Sequence, residues 1–428
     1  MAQFRRTEHP AAQWFGSAGL GLFVHWGISS VHGGIDLSWG MMADTPWDAT
    51  LCNQNKITPR EYAALADRFD PSRYDPLRWL EAARRAGFRY AVMTAKHHDG
   101  FTMWPSQAGD FGVRTNVGGR DLVAPFVQAC RRVGLKVGLY YSPPDWHINR
   151  AYMSFHYGSA DQARYPGRPH YGLDHEVVGS IPDAPAEHVG AYHACVRTQV
   201  EELLTRFGSL DILWFDGPPA VMGIDEIRRL QPGIVVNPRM HGAGDYLTPE
   251  CEMPAARPEG WWELCEILPE GSGWGYQRGA PYRSVGWLLS RLARVRAWGG
   301  NYLINVGPGP DGELPEQYYD RMEELEVWMQ HSGRSLFGVD SLPLADACSL
   351  PLTTTSDTWY IHVLPSHAGR VKVRVPRLPR SVALLRTGDV VEWALKRSEG
   401  PEAGQGKLVF EIPADLRTPL DDVVAVRF

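Results

Sequence analysis

An α/β fold, an irregular (β/α)8-like barrel followed by a small C-terminal β-sandwich, is what this sequence predicts. Three observations carry the prediction. Short runs that are apolar on both faces alternate with amphipathic stretches over the first three quarters of the chain, the pattern of parallel strands covered by helices. Polar or aromatic residues end nearly every run, and no glycine-rich fingerprint follows the first, which favours a barrel over an open sheet. After the helical stretch 315–332 the pattern changes to short β-type runs separated by Gly, Pro and Asp, as in a sandwich.

The strand candidates are residues 19–27, 90–98, 136–142, 211–217, 234–239 and 301–307. Only these six are clear, so weak strands are expected within 252–268. Helices are expected at 76–86, 121–133, 193–207 and 288–298, each followed by a glycine placed as a C-terminal cap. In 193–207, Val196, Val200, Leu203, Leu204 and Phe207 share one face, with Arg197, Glu201 and Glu202 opposite. The polar segment 147–188 is too long for an ordinary connection and is expected to be an insertion over the barrel mouth. The sandwich strands are expected at 358–364, 370–375, 382–385, 407–412 and 422–428. A boundary within 336–346 divides the chain into a catalytic barrel, 1–340, and a C-terminal β-sandwich domain, 341–428.

Composition narrows the function classes. With 44 % hydrophobic and 21 % charged residues, the 428-residue chain has the proportions of a soluble globular protein. A net charge of −6 and the lack of any Lys/Arg run argue against nucleic acid as a partner. Residues 1–10 are polar, without the apolar run of a signal peptide, and no stretch of apolar residues is long enough to span a membrane. The six cysteines are scattered without paired or metal-like spacing, so a cytoplasmic, reduced protein is expected. The 16 Trp and 17 Tyr suit carbohydrate binding, since aromatic faces pack on sugar C–H faces, although large cores also bury aromatics.

Five clusters stand at strand ends: His25-Trp26, His97-His98-Asp99, Tyr140-Tyr141, Trp214-Phe215-Asp216 and Asn237-Pro238-Arg239. Each alone has an ordinary reading. An Asp before Gly-Pro-Pro is commonly a turn former, and adjacent histidines on a strand point to opposite faces. A barrel brings such ends into one bowl, where imidazole and guanidinium groups bind hydroxyls, Trp supplies a wall and a carboxylate faces the anomeric carbon. Retaining sugar hydrolysis needs two carboxyl groups about 5–5.5 Å apart, a nucleophile and an acid/base. Asp216 fits the nucleophile, held at a strand end and kept ionised by Arg239 and His98. A metal-dependent hydrolase using His25, His97 and His98 is the competing reading.

Phe23-Val24-His25-Trp26-Gly27, Lys96-His97-His98-Asp99-Gly100-Phe101 with Trp104-Pro105-Ser106, Leu213-Trp214-Phe215-Asp216-Gly217, and the run from Gly300 to Pro308 together resemble the α-L-fucosidases of glycoside hydrolase family 29. The motifs keep the same order over most of residues 14–337. The resemblance implies hydrolysis of terminal α-L-fucosyl residues from a fucosylated oligosaccharide or glycoside, by retaining double displacement, with no cofactor and no metal. It implies Asp216 as nucleophile and His25, Trp39, His97, His98, Tyr141, Trp214 and Arg239 as the sugar subsite. Glu250 stands where similar proteins place the acid/base, and Glu263, in Trp261-Trp262-Glu263, competes for that role. One departure matters. Family members carry Glu-Trp shortly after the His-Trp-Gly strand, and here Ser38-Trp39 stands in that place. Either Asp36 or Asp44 substitutes for the missing carboxylate, or the pocket takes a related sugar such as L-galactose. A catalytically silent carbohydrate-binding relative is a further alternative, against which the presence of Asp216 counts.

Overall fold

The computed structural model describes residues 3–4, 6–45, 55–158, 167–271, 273–341, 347–397 and 406–428. Its centre is one sheet of eight strands: β1 (Leu20–Val24), β2 (Tyr90–Lys96), β3 (Lys136–Tyr141), β4 (Ile212–Phe215), β5 (Val235–Val236), β6 (Tyr246–Leu247), β7 (Trp261–Ile267) and β8 (Asn301–Val306). They run in the order β6-β7-β8-β1-β2-β3-β4-β5, every pairing parallel. All six expected strands are present, and β7 is the weak strand expected within 252–268.

The barrel is irregular between β5 and β6, which share no ladder. An acidic side chain takes over the pairing. Asp245 accepts from the Val236 N–H at 2.7 Å and, on its other oxygen, from the Thr7 N–H and Arg228, each at 2.6 Å. The run 234–239 yields only a two-residue strand because Pro238 lacks an N–H. Asn237 instead uses its side-chain amide like a backbone unit, exchanging two 2.8 Å hydrogen bonds with Phe215.

Helices α1 (Pro76–Arg85), α2 (Val123–Val133), α3 (Ala186–Arg206), α4 (Ile224–Leu230), α5 (Val285–Ala297) and α6 (Glu316–Ser332) lie outside the strands. Asp75 and Asp121 accept the first free N–H groups of α1 and α2, and Gly134 ends α2 with φ 74°. Helix α3 begins at Ala186 rather than at 193. Its first turns are exposed or half-buried, so no apolar stripe marks them in the sequence. Within 147–188 the described residues form a small hairpin, His170–Tyr171 with Val177–Val178. The Ala43 N–H donates to Phe155 at 2.8 Å, which ties this insertion to the segment around Trp39.

Eight further strands follow: β9 (Asp340–Ser341), β10 (Leu352–Thr354), β11 (Thr358–Val363), β12 (Val371–Val375), β13 (Ser381–Leu384), β14 (Trp393–Arg397), β15 (Gly406–Phe410) and β16 (Asp422–Arg427). They make two antiparallel sheets, β9-β10-β11-β16-β13 and β12-β15-β14, with Ile361, Val373, Leu408, Val424 and Val426 buried between them. The alternate residues Tyr360, Val423 and Ala425 pack into the barrel's helical layer instead. Both faces of β11 and β16 are therefore covered, and β16 is apolar almost throughout. Among the described residues no helix is long and apolar enough to cross a membrane.

Candidate active site

A cavity of about 400 Å³ opens at the C-terminal ends of the strands, lined by residues from seven of the eight strand ends and the loops that follow them. Side chains alternate along each strand, so every second residue faces the barrel axis. Phe23 and His25 of the β1 segment, Tyr140 of β3, Trp214 and Asp216 of the β4 segment, and Cys265 and Ile267 of β7 share this inner side. Tyr141 falls on the outer side, where its hydroxyl donates to Gln199 of α3 at 2.7 Å. Tyr141, expected in the sugar subsite, is thus not brought to the cavity, whereas its neighbour Tyr140 is.

Asp216 follows β4, its N–H still donating to Tyr141 at 3.1 Å, and its side chain is a quarter exposed. One oxygen accepts from the Tyr140 hydroxyl at 2.8 Å and the other from Arg239 at 3.2 Å, with His98 Nε2 3.6 Å away. Burial opposes the charge, but the Arg239 guanidinium and the Tyr140 hydrogen bond outweigh it and hold the carboxyl below its ordinary range. Arg239 lies over the Trp214 ring, 4.5 Å from its centre, and is steadied by Thr248. Its second terminal nitrogen donates to Glu250 at 2.7 Å. One guanidinium therefore bridges Asp216 and Glu250. Glu250 is fixed by a bridge to Cys265 of β7 and is 41 % exposed, open to solvent at the cavity wall.

Glu263 does not reach the cavity. It faces the barrel axis one step below Cys265, fully buried, accepting from Tyr90 at 2.5 Å and Trp214 at 3.1 Å. Burial pushes its carboxyl up to about 7, and the competing acid/base candidate is thus not brought to the cavity wall.

The imidazoles are neutral near pH 7. Burial lowers His25 and His98 to about 4, and His97 well below its ordinary value. Each is oriented through Nδ1: His25 to Asn305 at 2.7 Å, His97 to Ser38 and His98 to Ser142, both at 2.5 Å. Adjacent His97 and His98 both reach the cavity because the strand ends at Lys96 and the chain turns there. Asp99, the third member of that cluster, turns away to accept from Tyr62 and the Phe101 N–H. His97, His98 and Asp216 could offer three ligand atoms within 4.8 Å, but Arg239 already neutralises Asp216. That pairing suits a cation site poorly.

Trp39 lines the mouth, edge-on to His98 and Trp146 and beside Tyr157 of the insertion. Ser38 is fully buried behind His97 and is not part of the wall, whereas Asp36 is. Asp44, the other acidic neighbour, pairs with Arg168 and lies outside the cavity. Sequence reasoning missed Trp274, whose ring centre lies 5.2 Å from that of His25, and the pair Cys251 and Cys265. An aromatic within the glycine-rich stretch 271–279 after β7 was the available signal for Trp274. Of the cysteines, Cys130, Cys195, Cys251, Cys265 and Cys348 are free thiols, and Cys52 lies outside the described residues.

Formal charge in this cavity is concentrated in the Arg239 pair. The surrounding wall otherwise offers neutral hydrogen bonds and ring faces, the chemistry of hydroxyls, and on a barrel's C-terminal face this is the arrangement of a glycoside hydrolase. The family model for alpha-L-fucosidase matches residues 3–334. The tissue alpha-L-fucosidase of Rattus norvegicus is 28 % identical over 357 residues, covering 77 % of this chain and 70 % of that protein. Among solved structures, alpha-L-fucosidase isoenzyme 1 from Paenibacillus thiaminolyticus superposes with TM-score 0.76 at 28 % identity, over 98 % of each chain. A GH29 alpha-L-fucosidase from Bacteroides thetaiotaomicron, solved as a trapped covalent intermediate with 2-fluoro-fucosyl fluoride, shares the fold at TM-score 0.75 and 21 % identity, over 99 % of this chain and 97 % of that one. The chain belongs to the alpha-L-fucosidase family.

Proposed function

We propose that the protein is a retaining exo-α-L-fucosidase, acting on fucosylated glycans or glycosides with Asp216 as nucleophile and Glu250 as acid/base. The observation that carries this is the single guanidinium of Arg239 held between the two carboxyl groups, at 3.2 Å and 2.7 Å. Sharing one planar group keeps the pair close, and a close pair, about 5–5.5 Å, is what retention requires. The catalytic unit is proposed as residues 1–340, which contain every residue of the cavity wall.

In the first step an Asp216 oxygen attacks the anomeric carbon while Glu250 gives its proton to the departing glycosidic oxygen, leaving a fucosyl–Asp216 ester. Glu250, now a carboxylate, takes a proton from water, whose oxygen displaces Asp216 and restores the starting configuration. Arg239 favours the Asp216 carboxylate that attacks in the first step.

The test is hydrolysis of an aryl α-L-fucoside with product anomers followed by NMR. Wild type should release the α-anomer first, and Asp216→Ala should lose about 10³-fold or more in kcat. Glu250→Ala should keep far more activity on a good aryl leaving group than on a sugar aglycone. Inversion at the anomeric carbon, or an Asp216→Ala enzyme within tenfold of wild type, would overturn the assignment.

A further inference from the structure

We propose that Asp36 reads the sugar: its carboxyl, set in the cavity wall outside the Arg239 pair, binds one hydroxyl of the bound glycosyl residue and so sets which sugar the cavity accepts. The inference rests on the proposed hydrolase function and adds a specificity-determining residue to it.

Asp36 is 4 % exposed and lines the cavity. One oxygen accepts the Trp274 N–H at 2.8 Å, and no other donor among the described residues reaches the carboxyl. The other oxygen is open to the space before it rather than sealed within the protein. That space is the sugar cavity. Burial, tempered by the Trp274 hydrogen bond and reinforced by the charge of Glu250, raises Asp36 to about 7. With one oxygen engaged by Trp274, the other accepts the proton of a sugar hydroxyl, a role that an amide nitrogen in its place cannot take.

The local backbone is built to present this group. Leu37 has φ 49°, a left-handed conformation uncommon for a residue with a β-carbon. Its side chain packs so tightly on Gly275 that a Cβ there would lie 2.7 Å from Leu37 Cδ2. Gln277 binds the Ile35 carbonyl at 2.8 Å, and Asn305 holds the Trp274 carbonyl at 2.6 Å while its oxygen meets His25. This turn sends consecutive polar groups two ways: Asp36 into the cavity, Ser38 behind His97. Ser38 is a positioning residue; Asp36 has the access.

The experiment compares wild type, Asp36→Asn and Asp36→Ala on p-nitrophenyl α-L-fucoside and its 2-, 3- and 4-deoxy analogues. Asp36→Asn keeps the acceptor for Trp274, so it holds the turn if Asp36→Ala does not fold. On the parent fucoside kcat/KM should fall about ten- to a hundredfold, and on one deoxy analogue variant and wild type should converge. Equal losses on all four substrates, as a merely structural role would give, or a parent loss below about threefold, would overturn the inference. A wild type that turns over none of the fucosides instead overturns the proposed function. Calorimetric titration with L-fucose, L-galactose and L-rhamnose then decides Asp36 separately, and unchanged affinity of Asp36→Asn for the sugar that wild type binds would overturn it.

Discussion

Asp216 keeps its charge where burial opposes it because two groups act on its two oxygens, Tyr140 on one and Arg239 on the other. Removing the first contact is the direct measure of its worth. Tyr140→Phe should lower kcat/KM about ten- to a hundredfold, the effect of one hydrogen bond to a charged group. Tyr141→Phe should leave turnover within about threefold and instead cost roughly 1–2 kcal/mol of stability, since it strands a buried Gln199 oxygen. If the two variants exchange these phenotypes, the inward assignment of Tyr140 is wrong. Glu263 makes a separate prediction about pH. Its carboxyl is raised from 4.5 to about 7 by burial, so between those values the folded state holds a proton that the unfolded chain has released. Stability from this group is therefore full below about pH 4.5 and is lost as pH rises toward 7. Glu263→Gln removes the loss, and its melting temperature relative to wild type should climb from pH 5 to pH 7.5. Parallel pH–stability curves would show that Glu263 ionises normally in the folded protein.

Strands β1 and β2 show how one element dictates the residue type in the next. A Cβ on Gly21 would lie 2.2 Å from the Tyr90 ring. That ring cannot swing aside, because its hydroxyl is fastened to Glu263 across the barrel. Gly21→Ala should thus cost about 1–3 kcal/mol by overpacking, read as a lower denaturant midpoint with the slope unchanged; an unaltered midpoint would mean the ring repacks freely. The missing β5–β6 ladder belongs to the same scale. Asp245 replaces ladder bonds there with a side-chain bond to Val236, and Arg239 and Glu250 stand on either side of that break. Groups placed there are freed from strand alternation, so the Arg239 guanidinium and the Glu250 carboxyl can meet.

At the scale of the whole molecule, the barrel and the sandwich share a surface through α6. Trp328 donates to the Asp421 carbonyl at 2.8 Å, and Thr353 donates to the Ser335 carbonyl at 2.6 Å. Tyr360, Val423 and Ala425 join the barrel's core across that surface. Trp328→Phe should keep the packing but strand a buried carbonyl, lowering stability by about 1–3 kcal/mol with kcat unchanged. A calorimetric scan of the variant checks this, and an unchanged melting temperature would show that the contact contributes nothing.

The eight-stranded architecture was largely legible before any coordinates because strands buried on both faces must be continuously apolar, and glycine caps mark where helices stop. The meeting of Asp216, Arg239, His25, His97, His98 and Trp214 in one cavity was legible for a related reason: a barrel gathers strand ends, so polar residues at those ends converge. The short strands β5 and β6 left little trace, since two residues carry no periodicity and their pairing is made by side chains. Which of Tyr140 and Tyr141, and which of Glu250 and Glu263, reaches the cavity depends on which way a side chain faces and how deep it lies along the barrel axis. A residue's identity is the same on either face, and only the closed barrel distinguishes them. The position of Ser38 is of the same kind: sequence marked it as a departure, but only the left-handed turn at Leu37 decides that Ser38 supports His97 while Asp36 enters the cavity.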